Sequence, residues 1–162
     1  MNIEIICIGK LKESYLREAE SEYLKRLTAY CKVSVTELRE AKLPHNAGLA
    51  EEEEVRQKEG EALLSAVRKS ENAYVTALDM RGTQLTSEKF AENIEKAALG
   101  GKSTIYFLIG GSLGLSEKVR KEADRVVSFS QLTFPHQLMR IILEEQLYRA
   151  QSVLANHPYH RD

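Results

Sequence analysis

Two short runs, Ile3 to Ile8 and Thr104 to Ile109, are apolar at almost every position, and each ends at a glycine. Each has the length of a strand, far short of the roughly 18 residues a membrane helix needs. They read as buried strands. The stretches between them have helical spacing or turn chemistry. From Leu11 to about Tyr30, apolar residues recur at Leu16, Ala19, Tyr23, Leu27 and Tyr30 with charge between them, the pattern of an amphipathic helix. Val33, Val35 and Thr36 to Leu38 read as a second strand. Residues 39–50 hold Pro44, Asn46 and Gly48 and read as a loop. Glu51 to Glu54 fits the solvated first turn of a helix, where negative charge suits the dipole. The face of that helix is predicted from Val55, Ala62, Leu63, Ala66 and Val67.

Ala73 to Leu78 reads as a third strand, closed by a turn at Met80-Arg81-Gly82. Thr86 or Ser87 caps the next helix, with Phe90, Ile94 and Ala97 inward and Gly100-Gly101 at its end. A short helix from Ser116 to about Arg125 and a strand from Val126 to Phe129 follow. Pro135 suits the start of a long last helix, from about His136 to Leu154. The tail after Asn156 carries no signal for an element of its own. Five strands alternating with helices predict an α/β fold with an open, largely parallel sheet and flanking helices. The 162 residues suit a single domain. Ligands in such folds bind where loops leave the carboxyl ends of strands, here after Leu78, Ile109 and Phe129.

Hydrophobic residues at 43% and charged residues at 29% exclude a disordered, collagen-like or coiled-coil chain. The N-terminus has neither a basic region nor a long apolar stretch, so no signal peptide is expected. Cys7 and Cys31 fit free thiols in a reducing cytoplasm. The net charge is −1. A protein gripping naked nucleic acid through many phosphates is normally basic, so any nucleic-acid contact here needs a small local patch or a target that supplies other contacts.

Gly100-Gly101-Lys102-Ser103 imitates the end of a phosphate-binding loop. It lacks the earlier glycine, Lys96 standing there, and it precedes a strand instead of following one. Gly110-Gly111-Ser112-Leu113-Gly114 does follow a strand, and is either a tight turn or a loop that lets a ligand approach the backbone. The run Ser128 to His136 is too polar for core and too apolar for a solvent loop. It suits a polar ligand with an apolar body, or else a strand end and helix cap. His136 is a candidate general base or a helix-start cap. His157 and His160 are too few for a metal site, and none is expected.

Taken together, the residues resemble the pseudouridine methyltransferase H family of the ribosomal large subunit, among the knotted SPOUT methyltransferases. The resemblance runs end to end. It rests on Ile8-Gly9-Lys10-Leu11-Lys12, Lys58-Glu59-Gly60, Ile109 to Ser112 with Gly114-Leu115, Ser128 to Arg140, Glu145, Tyr148-Arg149-Ala150 and the tail Asn156 to Arg161. It implies a C-terminal trefoil knot, a homodimer and an S-adenosylmethionine-dependent enzyme. The implied reaction methylates N3 of a pseudouridine in the helix-69 loop of 23S rRNA, the position conventionally numbered 1915. The implied partner is the assembled ribosome in the cytoplasm, with neither DNA nor membrane involved. The implied cofactor pocket is Leu78, Gly110, Phe129, Ser130, Gln131, Leu132, Thr133 and Phe134.

Gln131 stands where many relatives carry Lys, and Gln151 where they usually place an aromatic. Asn156 can still turn the tail, since Asn is second to Gly as a left-handed helix stop. Candidates for binding the base or taking its proton are His136, Arg149, Tyr159 and His160. Arg149 and Arg161 are candidates for holding phosphate, or a carbonyl as N3 loses its proton. Arg149 can equally pair with Glu145, four residues back. Two other readings stand beside this one: another SPOUT RNA methyltransferase, and a non-catalytic ribosome-binding factor.

Overall fold

A computed structural model describes residues 1–67 and 72–161. Its elements are β1 (Asn2–Ile8), α1 (Ser14–Leu27), β2 (Lys32–Leu38), α2 (Leu49–Ala66), β3 (Ala73–Gln84), α3 (Ser87–Leu99), β4 (Thr104–Ile109), α4 (Glu117–Glu122), β5 (Arg125–Ser128) and α5 (His136–Leu154), followed by a 3₁₀ turn at Pro158–Arg161. The strands form one parallel sheet in the order β2-β1-β4-β3-β5.

Both faces of the central strands are covered, which explains why their sequences are apolar at almost every position. Ile3, Ile5 and Cys7 of β1, with Ile105, Phe107 and Ile109 of β4, pack under α1, α3 and α5. Ile6, Ile8, Tyr106 and Leu108 point to the opposite face, under Leu63 of α2 and Val119 of α4. Thr86 caps α3 by accepting the Lys89 N–H at 3.2 Å, and Gly101 ends that segment at φ +87°. The Gly100-Gly101-Lys102-Ser103 segment is therefore a helix stop. In α2, Glu51 Oε2 accepts the Gly48 N–H at 3.0 Å, so the acidic run does open a helix.

Five expectations need correction. The helix predicted from Leu11 to Tyr30 spans only Ser14–Leu27, and α2 begins at Leu49, inside the predicted loop. The third strand does not end at Leu78. Leu78 and Thr83 both pair with Val127, so residues 79–82 loop out and the strand then resumes. Ala62 is exposed, and Glu59 and Gly60 occupy the buried face of α2 instead. The tail is a 3₁₀ turn folded back on α5, with the Tyr159 and Tyr148 rings 4.6 Å apart.

Candidate active site

The strand ends bring three loops together. The excursion after Leu78, the glycine loop after Ile109 and the run after Ser128 enclose a cavity of about 630 Å³, within the usual range for small-molecule sites. Leu78, Gly110, Phe129, Ser130, Leu132, Thr133 and Phe134 border it. The Gln131 side chain is exposed and does not.

Each wall has a local cause. Asp79 Oδ1 accepts the Arg81 N–H at 2.8 Å, which turns the excursion, and Arg120 stands 3.7 Å from Oδ2. Gly114 N–H donates to Gly111 O at 3.0 Å with Gly114 at φ +81°, folding the glycine loop into a tight turn. Ser130 Oγ accepts the Leu132 N–H at 2.9 Å, and Ser128 Oγ donates to Ser130 O at 2.9 Å. Phe129 is held edge-on to Phe90 of the core, with centroids 5.7 Å apart. Leu132 remains exposed at the rim.

The candidate catalytic residues fall into two groups. His136, the first residue of α5, borders the cavity. Its Nε2 is buried without a hydrogen-bond partner, 3.6 Å from Glu40 Oε1. Arg149 lies 13 residues along the same helix, about 20 Å away at 1.5 Å per residue. There Arg149 Nη2 donates to Glu145 Oε1 at 2.6 Å, the i−4 pairing, and its guanidinium lies 5.0 Å from the Tyr159 ring. Tyr159 Oη donates to the same Glu145 oxygen at 3.1 Å. Burial, and then the Glu145 charge, push the Tyr159 phenol up to about 12, so it stays protonated at neutral pH. His160 Nε2 lies 2.9 Å from Glu88 Oε1, and Arg161 is exposed. Within one chain, then, Arg149 and Tyr159 stack together well along α5 from His136, and none of Arg149, Tyr159, His160 and Arg161 borders the cavity.

Leu113 borders the cavity as part of the glycine loop, and Asp79, Met80, Leu115 and Met139, not named among its expected residues, border it too. The turn sequence around Arg81 was the available signal for Asp79 and Met80.

Residues 1–160 match the family model described as "Predicted SPOUT methyltransferase". The chain belongs to the SPOUT methyltransferase family. This SPOUT methyltransferase is 50% identical over 161 residues to "Ribosomal RNA large subunit methyltransferase H 1" of Clostridium perfringens strain SM101, covering 99% of this chain and all of that one. It is 53% identical, with the same coverage, to "Ribosomal RNA large subunit methyltransferase H" of Clostridium novyi strain NT. A solved structure of a probable methylase family protein from Haemophilus influenzae Rd KW20 superposes with a TM-score of 0.51 over 97% of this chain and 69% of that one. At 13% identity this likeness speaks for the fold alone. Among the described residues, no helix of the methyltransferase is long and apolar enough to cross a membrane, and no cluster of side chains could hold a metal ion.

Proposed function

We propose that this methyltransferase moves the methyl group of S-adenosylmethionine to N3 of a pseudouridine in the helix-69 loop of 23S rRNA, on the assembled ribosome in the cytoplasm. The observation that carries this reading is the 50% identity, over the full length, to a relative named for methylation of large-subunit ribosomal RNA. Residues 1–162 act as one domain, and the loops crowding the cavity are tied as a C-terminal trefoil knot.

The cavity suits the donor. Leu78, Phe129 and Phe134 give apolar walls for an aromatic body. The Gly110–Gly114 loop and Ser130, Leu132 and Thr133 offer backbone groups for its polar edges. When bound, the donor supplies a methyl group made electrophilic by its sulfonium. The chain itself must hold N3 in line at roughly 3–3.5 Å and accept its proton. His136 is the candidate to accept it, because it alone of the four candidates borders the cavity. Tyr159 is not, because its phenol is protonated and already donates to Glu145. Arg149, Tyr159, His160 and Arg161 then serve the substrate rather than the donor. They reach a cavity only as the tail of one subunit facing the cavity of another, in a homodimer. With a net charge of −1, binding to isolated RNA is weak and the ribosome supplies the missing contacts.

The test is methyl transfer from tritiated donor to ribosomes lacking the modification, with the labelled nucleotide mapped and the target present as pseudouridine or uridine. Label is expected at the helix-69 pseudouridine alone. Label elsewhere would make this another SPOUT RNA methyltransferase, and no label a ribosome-binding factor.

A further inference from the structure

The Lys58-Glu59-Gly60 run of α2 lies outside the cavity, and the reaction described above makes no use of it. Its middle residue is an acid only 5% exposed. Glu59 Oε2 accepts the Ala41 N–H at 3.1 Å. Oε1 has no hydrogen-bond partner and lies 3.1 Å from where a Cβ on Gly111 would stand. Burial raises the pKa of this carboxyl, the Ala41 N–H opposes the rise and Glu40 adds to it. Gly111 borders the cavity, whereas Glu59 touches only its back. The neighbours on this face of the sheet, Ile6, Ile8, Leu63 and Leu115, are apolar. Packing alone asks for a leucine there and not for an acid.

Gly60 presses on the segment that follows the same loop. A Cβ on Gly60 would stand 2.4 Å from Ser116 Oγ and 3.1 Å from Val119 Cγ2. Ser116 Oγ is the cap that opens α4, accepting the Val119 N–H at 3.3 Å. Two consecutive residues of one helix therefore back the glycine loop at Gly111 and the α4 cap that follows it. The loop closes tightly on itself: a Cβ on Gly110 would stand 2.8 Å from the Gly114 carbonyl carbon. A shift imposed at either place must pass through the loop to the cavity wall, because close-packed backbone transmits strain.

We propose that Glu59 and Gly60 are positioning residues, a brace on α2 that sets the shape of the donor site from behind the glycine loop. This rests on the reading of the cavity as the S-adenosylmethionine site.

The experiment is calorimetric titration of the full-length protein with S-adenosylmethionine, together with melting temperature and steady-state kinetics. The variants are Glu59→Ala, Glu59→Gln and Gly60→Ala. Glu61→Ala is the control, since it breaks only the exposed Lys118–Glu61 pair between α2 and α4. Glu59→Ala and Gly60→Ala should each weaken donor binding about tenfold and raise the donor KM more than they lower kcat. Glu59→Gln keeps the acceptor for Ala41 and should recover most of the affinity. Glu61→Ala should bind like the parent. A lowered melting temperature with parental affinity in both Glu59→Ala and Gly60→Ala would overturn the proposal and make this turn ordinary core. If Glu59→Ala does not fold, Gly60→Ala decides, and parental affinity there overturns it. A parent that fails to bind the donor refutes the assignment of the cavity, and the brace falls with it. A parent that binds beside unaffected variants refutes the brace alone.

Discussion

Glu144 is fully buried on α5 with Oε1 3.8 Å from Nε of Arg140, yet that guanidinium is already committed to two other acids. Arg140 Nη2 donates to Glu20 of α1 at 2.7 Å, and Nη1 donates to Glu37 of β2 at 2.7 Å. The Cys7 thiol of β1 stands 3.4 Å from Nη1. One cation thus faces three carboxyl groups, and neither oxygen of Glu144 receives a hydrogen bond from a donor. Burial, and then the neighbouring Glu20, hold Glu144 protonated, its O–H donating to the Glu20 carboxylate. A neutral acid completes the joint between α1 and α5.

That protonation state predicts how stability changes with pH. The Glu144 carboxyl is pushed up from 4.5 to about 10 in the folded chain. Below about pH 4.5 the group is neutral whether folded or unfolded and has no linkage effect. Above that, the folded state holds a proton the unfolded state has lost, so this group makes stability fall as pH rises, until the folded pKa is passed. Glu144→Gln keeps a neutral donor to Glu20 but does not titrate, so its Tm should match the parental value near pH 5 and decline less steeply between about pH 6 and about pH 9. Thermal melts across that range check this, and parallel declines in the parent and in Glu144→Gln would mean that Glu144 is already ionised in the folded chain.

The limits of the sequence show at particular residues. β4 and α5 begin and end where the apolar run and Pro135 placed them, because strong local signals bound both. Asn156 stands at φ 56°, the left-handed stop expected of it. The return of β3 to the sheet was invisible, since Thr83 and Gln84 pair with Val127 and Ser128, some forty residues ahead. Glu59 and Gly60 are missing from the predicted face of α2 for a related reason. Hydrophobic spacing counts neither as core, and only the glycine loop and the α4 cap packed against them make them so. The three cavity loops followed from the rule about strand carboxyl ends. The fold-back of Tyr159 onto Tyr148 did not, because a four-residue 3₁₀ turn leaves no periodicity to read.

Gly82 holds the excursion of β3 against its neighbour. A Cβ there would stand 2.6 Å from the Val126 carbonyl carbon and 2.7 Å from the Val126 oxygen. Gly82→Ala must push residues 79–82 away from β5, at a cost of about 1–3 kcal/mol. Asp79 and Met80 ride on that segment. Denaturant unfolding should show the destabilisation, and calorimetry should show weaker S-adenosylmethionine binding in the fraction that remains folded.

The end of α5 separates donor binding from tail function. His157 N–H donates to Ser152 O at 2.8 Å, and Asn156 N–H to Val153 O at 3.2 Å, the paired bonds of a Schellman stop. Asn156→Gly suits the left-handed backbone and should keep full activity. Asn156→Val strains it by about 1–2 kcal/mol and should release the tail from Tyr148 and Glu88. Turnover should fall in Asn156→Val while donor affinity, read by calorimetry, stays at the parental value.

The distance along α5 between His136 and the tail leads to a test of a shared site. His136 borders the cavity, and Arg149, with Tyr159 above it, sits about 20 Å further along the helix. The exposed Leu138 is available to a partner, whereas Leu147 is spent on the chain's own core. In a two-fold dimer any contact between one tail and the other cavity occurs twice, giving two composite sites. Gly110→Val spoils a cavity, because a side chain at Gly110 meets the Gly114 backbone. Tyr159→Ala with His160→Ala spoils a tail. Each variant alone should be inactive on ribosomes. Refolded together in equal amounts, half of the dimers should pair one variant with the other. Each mixed dimer then holds one intact cavity facing one intact tail, so activity should return to roughly a quarter of the parental value. If each site took its cavity and tail from the same chain, every chain in the mixture would carry a defect. Absence of recovery, with mixed dimers verified by mass, would place both halves of the site in one subunit.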